Sequence, residues 1–487
     1  MGTSVHGGHL RWSAGALMVF DSRWVLLVLF PVGYLMTAGR LTGSSSEYLA
    51  LTVASFLGCG VLLSQLGRRL QLTLPFWALL LLFLTHYGQL YWIGVDPAAL
   101  HGWWLPDLEW MSEAPEVLLG AFATTTLGFT SFCLTASLLL ASLDRNCRDA
   151  ADADGGINHQ KVFRTTLLIL LVIVPATSYA MYAGHIAVMG SEATSLPFHL
   201  AGLVYYGRLA TIPGLILVML WCADQLRSRP YLIATFAGAC IYGVTDMMLR
   251  ASRGSLAALF LPIGLLFVLT GRMTRRRVWS FIAIGGGIVA LWPVMTLYRL
   301  SRAAEDPSIA VSLRQGLDAF NSSDLTISGV VLDALRTVVF RITGAVSLMP
   351  AVGASLRPLG PLSATSVTSF FTTEVMGYPA EAVHSSAPSL LGWFYLVGGN
   401  LLVIAGVFGL TVAVWMMWRQ LRILRLRCLH VDQALVATCI LSVSVDGVLD
   451  RLYLPTLSCV MSVIVCELVT RLGERRHHRA ADSAALQ

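Results

Sequence analysis

The chain has 487 residues, 56% of them apolar and 12% charged, with a mean hydropathy of +0.71. A soluble protein carries about 25% charge, so a soluble enzyme is excluded. The formal charge of +6 calls for no nucleic-acid partner, because basic connections between apolar segments account for it. The composition is that of an all-α polytopic membrane protein, one integral membrane domain over residues 1–487.

The first two dozen residues do not read as a signal peptide. Asp21 and Arg23 break the apolar stretch, and no small-residue cleavage site follows. His6 stands where a myristoylation signal needs Ser or Thr. Apolar runs of spanning length then recur to the end of the chain. They predict about 12 transmembrane helices, at 24–39, 49–66, 74–93, 115–142, 162–182, 203–222, 231–249, 254–271, 278–298, 388–418, 432–448 and 452–469.

The cations orient these spans. All but one of the 33 are arginine, the exception being Lys161. Arg68 and Arg69, the 143–164 segment, Arg227 and Arg229, Arg272 with Arg275 to Arg277, the 419–427 cluster and the 470–487 tail fall on one side. The positive-inside bias makes that side cytoplasmic, with both termini there. The 94–114 connection has no basic residue, and its Trp103, Trp104 and Trp110 suit a headgroup interface. The nine cysteines form no CxxC and no disulfide framework.

The largest connection, 299–387, is predicted to be periplasmic and partly helical. Ile309, Leu313, Leu317 and Phe320 follow helical spacing. Residues 325–349 read as a more apolar helix lying on or dipping into the outer surface, since counting it as a span would invert every later loop.

Eleven arginines remain on the outer side, where the bias predicts few: Arg40, Arg208, Arg250, Arg253, Arg299, Arg302, Arg314, Arg336, Arg341, Arg357 and Arg451. Such a surplus points to a bound anion, and a phosphate is the first to consider. Asp246, Arg250 and Arg253 share one helical face, just before Gly254 and Ser255 open the next span. Guanidinium forks bind phosphate bidentately, and helix N-termini favour anions. Arg341 sits among Phe340, Ile342, Thr343 and Gly344 with no local partner, so its counter-charge is elsewhere. Arg208, near Tyr205 and Tyr206, and Arg451, beside Asp450, are further candidates. His384, just outside the tenth span, is placed to accept a proton near neutral pH. Each candidate has a plainer alternative: interfacial snorkelling, pairing with a nearby carboxylate, or, for His384, an ordinary surface histidine. Gly392, Gly398 and Gly399 read as sites of close helix packing. No metal-site spacing is visible.

Ser252-Arg253-Gly254, the long external loop and the segment SAPSLLGWFYLVGGN together resemble the Wzy-type O-antigen and exopolysaccharide polymerases, within the wider group of membrane glycosyltransferases that includes the O-antigen ligases. The similarity covers roughly 240–418. The resemblance implies a GT-C-like bundle in the bacterial inner membrane. It implies a metal-independent, cofactor-free glycosyltransferase that joins undecaprenyl-pyrophosphate-linked oligosaccharide repeats at the periplasmic face. Arg253 and Arg341 would hold the donor pyrophosphate, with Arg250, Arg208 and Arg451 near, and His384 would act at the acceptor. A chain-length regulator and a flippase would be partners. The ligases' His-Asn context is absent, which favours polymerase over ligase. A transporter or flippase would place its charges at mid-membrane rather than at the outer mouth.

Overall fold

The computed structural model describes residues 22–66, 74–101, 104–142, 157–186, 200–250, 254–287, 314, 339–340, 344–356, 366–379, 387–424, 426–446, 449 and 453–472. Among these the chain is helical throughout, without a β-sheet. Eight helices are long and apolar enough to cross a membrane, and three shorter apolar helices accompany them. The ninth expected span, 278–298, is helical over 275–287, and the rest of it lies outside the described residues.

The first half begins with α1 (Ser22–Thr37) and α2 (Ser45–Leu66). Helix α3 (Leu74–Leu82) runs through a π-helical turn, Phe83–Gly88, into α4 (Gln89–Val95). A short α5 (Trp110–Glu113) precedes α6 (Pro115–Ser142). Helix α6 is the spine of this half, packed along α2 on one side and along the late helix α14 (Leu390–Ile423) on another. Its core is aromatic: Phe30 meets Phe83, Tyr87 and Phe129 edge-on at centroid distances of 5.1–5.7 Å. Buried tyrosine hydroxyls are satisfied internally, as lipid requires. Tyr87 bonds Ser55 and Thr126, and Tyr48 bonds Thr37.

The second half contains α7 (His159–Ala183), α8 (Leu200–Tyr206), a second π turn at Gly207–Thr211, α9 (Ile212–Gln225), α10 (Arg229–Arg250) and α11 (Gly254–Leu269). Every residue of α9 from Ile212 to Ala223 is buried, so this helix is apolar all round and central. Helices α7, α10 and the last helix, α16 (Tyr453–Leu472), surround it, and α15 (Leu429–Asp446) packs on α11 and α16. Trp77 and Ala78 of α3 touch both halves.

The 299–387 connection contributes α12 (Ala345–Gly353) and α13 (Val367–Phe370), the latter running into a third π turn, Phe371–Val375. Helix α12 is not a surface element. Eight of its nine residues are buried, and it packs on α6 and α14. It begins after Gly344, whereas the sequence reading ends its helix at 349; residues 325–338 and 341–343 of that prediction lie outside the described residues. Two glycines allow the close approach. A Cβ on Gly344 would collide with the Thr85 carbonyl, and one on Gly120 would stand 2.8 Å from Val352. The Gln89 side chain spans the joint, donating to the Val339 carbonyl at 2.6 Å and accepting from the Val346 N–H at 3.1 Å.

Helix α14 is broken rather than merely close-packed at its glycines. Gly398 and Gly399 leave the helical region, and Gly399 has φ +62°, which only glycine adopts without strain. The sequence reading of these two as packing residues is therefore revised. At Gly392 a Cβ would stand 3.3 Å from Ser389 Oγ and at an ordinary contact distance of 3.6 Å from Ala351 of α12.

Candidate functional site

The best-defined polar cluster sits where α7, the Gly207–Thr211 turn and α10 meet. Asp246 is 4% exposed and lies one turn before Arg250, which closes α10. Its Oδ2 accepts from Arg250 Nη1 at 3.2 Å, the i,i+4 pairing expected of the sequence. Its Oδ1 accepts from Arg208 Nε at 3.0 Å, across 38 residues of chain. One carboxylate thus holds two guanidiniums, and the cluster keeps a net positive charge.

The two arginines differ in setting. Arg208 is 1% exposed. Its π turn widens the backbone just where the side chain enters the interior. Its Nη1 donates to Ser178 Oγ at 2.6 Å, Thr177 Oγ1 at 3.2 Å and the Val174 carbonyl at 3.4 Å. Tyr242 donates to the Arg208 carbonyl at 2.6 Å and places its ring 5.2 Å from the guanidinium carbon. Arg208 Nη2 has no partner among the described residues. Arg250 is less enclosed, with 12% of its side chain exposed. Its Nη2 donates to Tyr205 Oη at 2.9 Å, and its guanidinium carbon stands 4.8 Å from that ring's centroid. Arg250 is therefore fixed from two sides while still reaching the surface.

This cluster lies at the opposite end of α10 from the residues that mark the arginine-rich side. There, Asp224 accepts from Arg272 at 2.5 Å and from Arg277 at 2.9 Å. The described residues thus place ion-pair clusters at both ends of α10, as charges forced to the rims of a lipid-facing bundle should be.

Of the sequence candidates, Arg208 and Arg250 come together. Arg253, Arg341, His384 and Arg451 lie outside the described residues. Near His384, Ser389 is described: it is fully buried, has φ +64° and caps α14 by accepting from the Gly392 N–H at 3.2 Å. A non-glycine residue there stores backbone strain immediately before α14.

Two features were missed. Tyr205 was noted only as a neighbour, yet it orients Arg250. His86 is 1% exposed within the first π turn, with Nδ1 2.9 Å from Thr85 Oγ1 and Nε2 unpartnered among the described residues. The available signal was the histidine itself, since ionisable residues inside apolar spans are rare.

What the arrangement can do is hold a fixed positive charge at one rim of the bundle without a metal. A guanidinium already oriented by carboxylate and phenol needs little reorganisation to meet an anionic oxygen. Comparisons of the chain with protein-family models, with curated proteins and with solved structures find no match.

Proposed function

We propose that this chain is a Wzy-type polymerase. It joins undecaprenyl-pyrophosphate-linked oligosaccharide repeats at the periplasmic face of the bacterial inner membrane. The acceptor sugar hydroxyl attacks the donor's anomeric carbon, the bond to the pyrophosphate oxygen breaks, and the hydroxyl proton passes to His384. The observation that supports this reading most is the Asp246 clamp: Arg250 held by carboxylate and Tyr205 at the end of α10, three residues before Arg253. Arg250, Arg253 and Arg341 stabilise the pyrophosphate as it leaves, and Arg451 extends the basic mouth. Arg208, buried beneath, acts by charge and by holding Asp246. A chain-length regulator and a flippase are the expected partners.

Loss of one preorganised donor of this kind costs on the order of 10²–10³ in rate. Cells carrying Arg253→Ala at normal abundance should make single repeats instead of a ladder on a glycan gel. Retained polymer length in that variant would remove the arginine assignment.

Two observations favour a second reading. Helix α14 is broken at Gly398–Gly399 and His86 is buried in a span, features that suit a lipid-oligosaccharide transporter. An O-antigen ligase would use the same outer site and differ in its acceptor. Supplying lipid A-core to the purified protein separates the ligase from the polymerase.

A further inference from the structure

The start of α15 and the end of α16 bring together three potential metal ligands far from the arginine clamp. Cys428 directly precedes α15, Asp432 lies in its first turn, and Glu467 lies within the last two turns of α16. All three are buried, at 1%, 0% and 7% exposure. The Cys428 Sγ stands 3.3 Å from Glu467 Oε1 and 3.6 Å and 3.7 Å from the two Asp432 oxygens. One ligand atom from each residue lies within 4.8 Å of the others.

The charge balance sets this group apart. Asp246 and Asp224 each hold two arginines. Asp432 and Glu467 hold none among the described residues, although Cys428 follows directly on the arginine-rich 419–427 segment. Glu467 accepts from the Cys428 N–H at 3.0 Å. The fully buried Asp432 carboxylate faces the Cys428 thiol and shares a side-chain hydrogen bond with Glu467. Two carboxylates this close in a dry interior cannot both remain bare anions; they need a proton or a cation between them.

The spacing admits a zinc ion. Zinc bonds sulfur at about 2.3 Å and carboxylate oxygen at about 2.0–2.2 Å. A tetrahedral centre with those bonds separates sulfur from oxygen by about 3.6 Å, and the observed separations bracket that value. One thiolate with two carboxylates suits a borderline divalent ion better than magnesium or calcium, which take oxygen alone. The Cys466 thiol is buried beside Glu467, in electrostatic contact with Cys428 and both carboxylates.

We propose that Cys428, Asp432 and Glu467 form a structural zinc site that staples α15 to α16. Binding releases the thiol proton and any proton the carboxylates share to solvent, so affinity rises with pH. The staple does not depend on the polymerase reading.

The test uses the full-length protein in detergent, with His477 and His478 replaced by alanine so that the tail offers no competing pair. Metal-stripped protein is titrated with Zn²⁺ against a chromophoric chelator, and separately with Co²⁺ to read thiolate-to-cobalt charge transfer. One zinc per chain, a cobalt–thiolate band and a higher melting temperature with zinc are expected. Cys428→Ser should abolish the band and weaken zinc binding by at least about tenfold, with Asp432→Asn weakening it as well. Should a variant fail to fold, the wild-type titration decides alone. Folded wild-type protein that shows neither stoichiometric zinc nor a cobalt–thiolate band overturns the site in favour of a shared proton.

Discussion

Asp246→Asn isolates the contribution of one carboxylate to the arginine clamp. The substitution keeps the volume and removes the one negative charge that Arg208 and Arg250 share. Arg208 cannot follow its charge to solvent at 1% exposure; it would keep only Ser178, Thr177 and the Val174 carbonyl. Leaving a buried charge unpaired costs about 3–5 kcal/mol. Arg250, with 12% of its side chain exposed, can turn outward and adds little to that loss. Graded SDS denaturation of the detergent-solubilised protein reads the difference. A double replacement, Arg208→Met with Asp246→Leu, removes both buried charges and should recover about 2–3 kcal/mol relative to the sum of the singles. An Asp246→Asn loss below about 1 kcal/mol, or simple additivity in the double, would show that the two charges are not coupled as described.

Tyr205→Phe keeps the ring beneath Arg250 and removes the 2.9 Å hydrogen bond; stability should fall by about 1.5–3 kcal/mol or less, since the guanidinium can reach water. If Arg250 meets the leaving pyrophosphate, the same variant lowers kcat more than it raises KM. Gln89→Leu strips both backbone contacts that pin Val339 and Val346 to α4. It should cost about 1–3 kcal/mol and speed proteolysis of the 299–387 connection, whereas unchanged proteolysis would mean α12 is held by packing alone. Gly399→Ala forces a Cβ into φ +62° and should cost about 1–3 kcal/mol in SDS denaturation; a neutral result would show that α14 is straight in the membrane.

Hydropathy alone made the all-helical, many-span architecture legible, because spanning helices must satisfy their backbone internally and face lipid with apolar side chains. Local charge pairing was equally readable: Asp246 and Arg250 are one turn apart, and they meet. The partnership of Arg208 with Asp246 was not readable, because it closes over 38 residues through tertiary packing. Arg208 therefore read as a mouth residue when it is a buried one. The burial of α12 was hidden for a similar reason. Its apolar sequence fits a surface-dipping helix as well as an inserted one, and the glycines that admit it, Gly120 and Gly344, stand far apart in sequence. The π turns at His86 and Arg208 leave no local pattern, since their residues are ordinary helix formers. The zinc-like trio combines a short Cys428–Asp432 spacing with a glutamate on another helix, which no motif of adjacent ligands would find.

The most direct measurement reconstitutes the purified protein with an undecaprenyl-pyrophosphate-linked repeat unit, without nucleotide, and reads the product on a glycan gel, comparing wild type with Arg250→Ala and Arg253→Ala. The account predicts a ladder of repeat multiples from the wild type and a drop on the order of 10²–10³ in rate for Arg253→Ala. A single unextended repeat from folded wild-type protein with its cognate substrate, or equal ladders from all three, would contradict it.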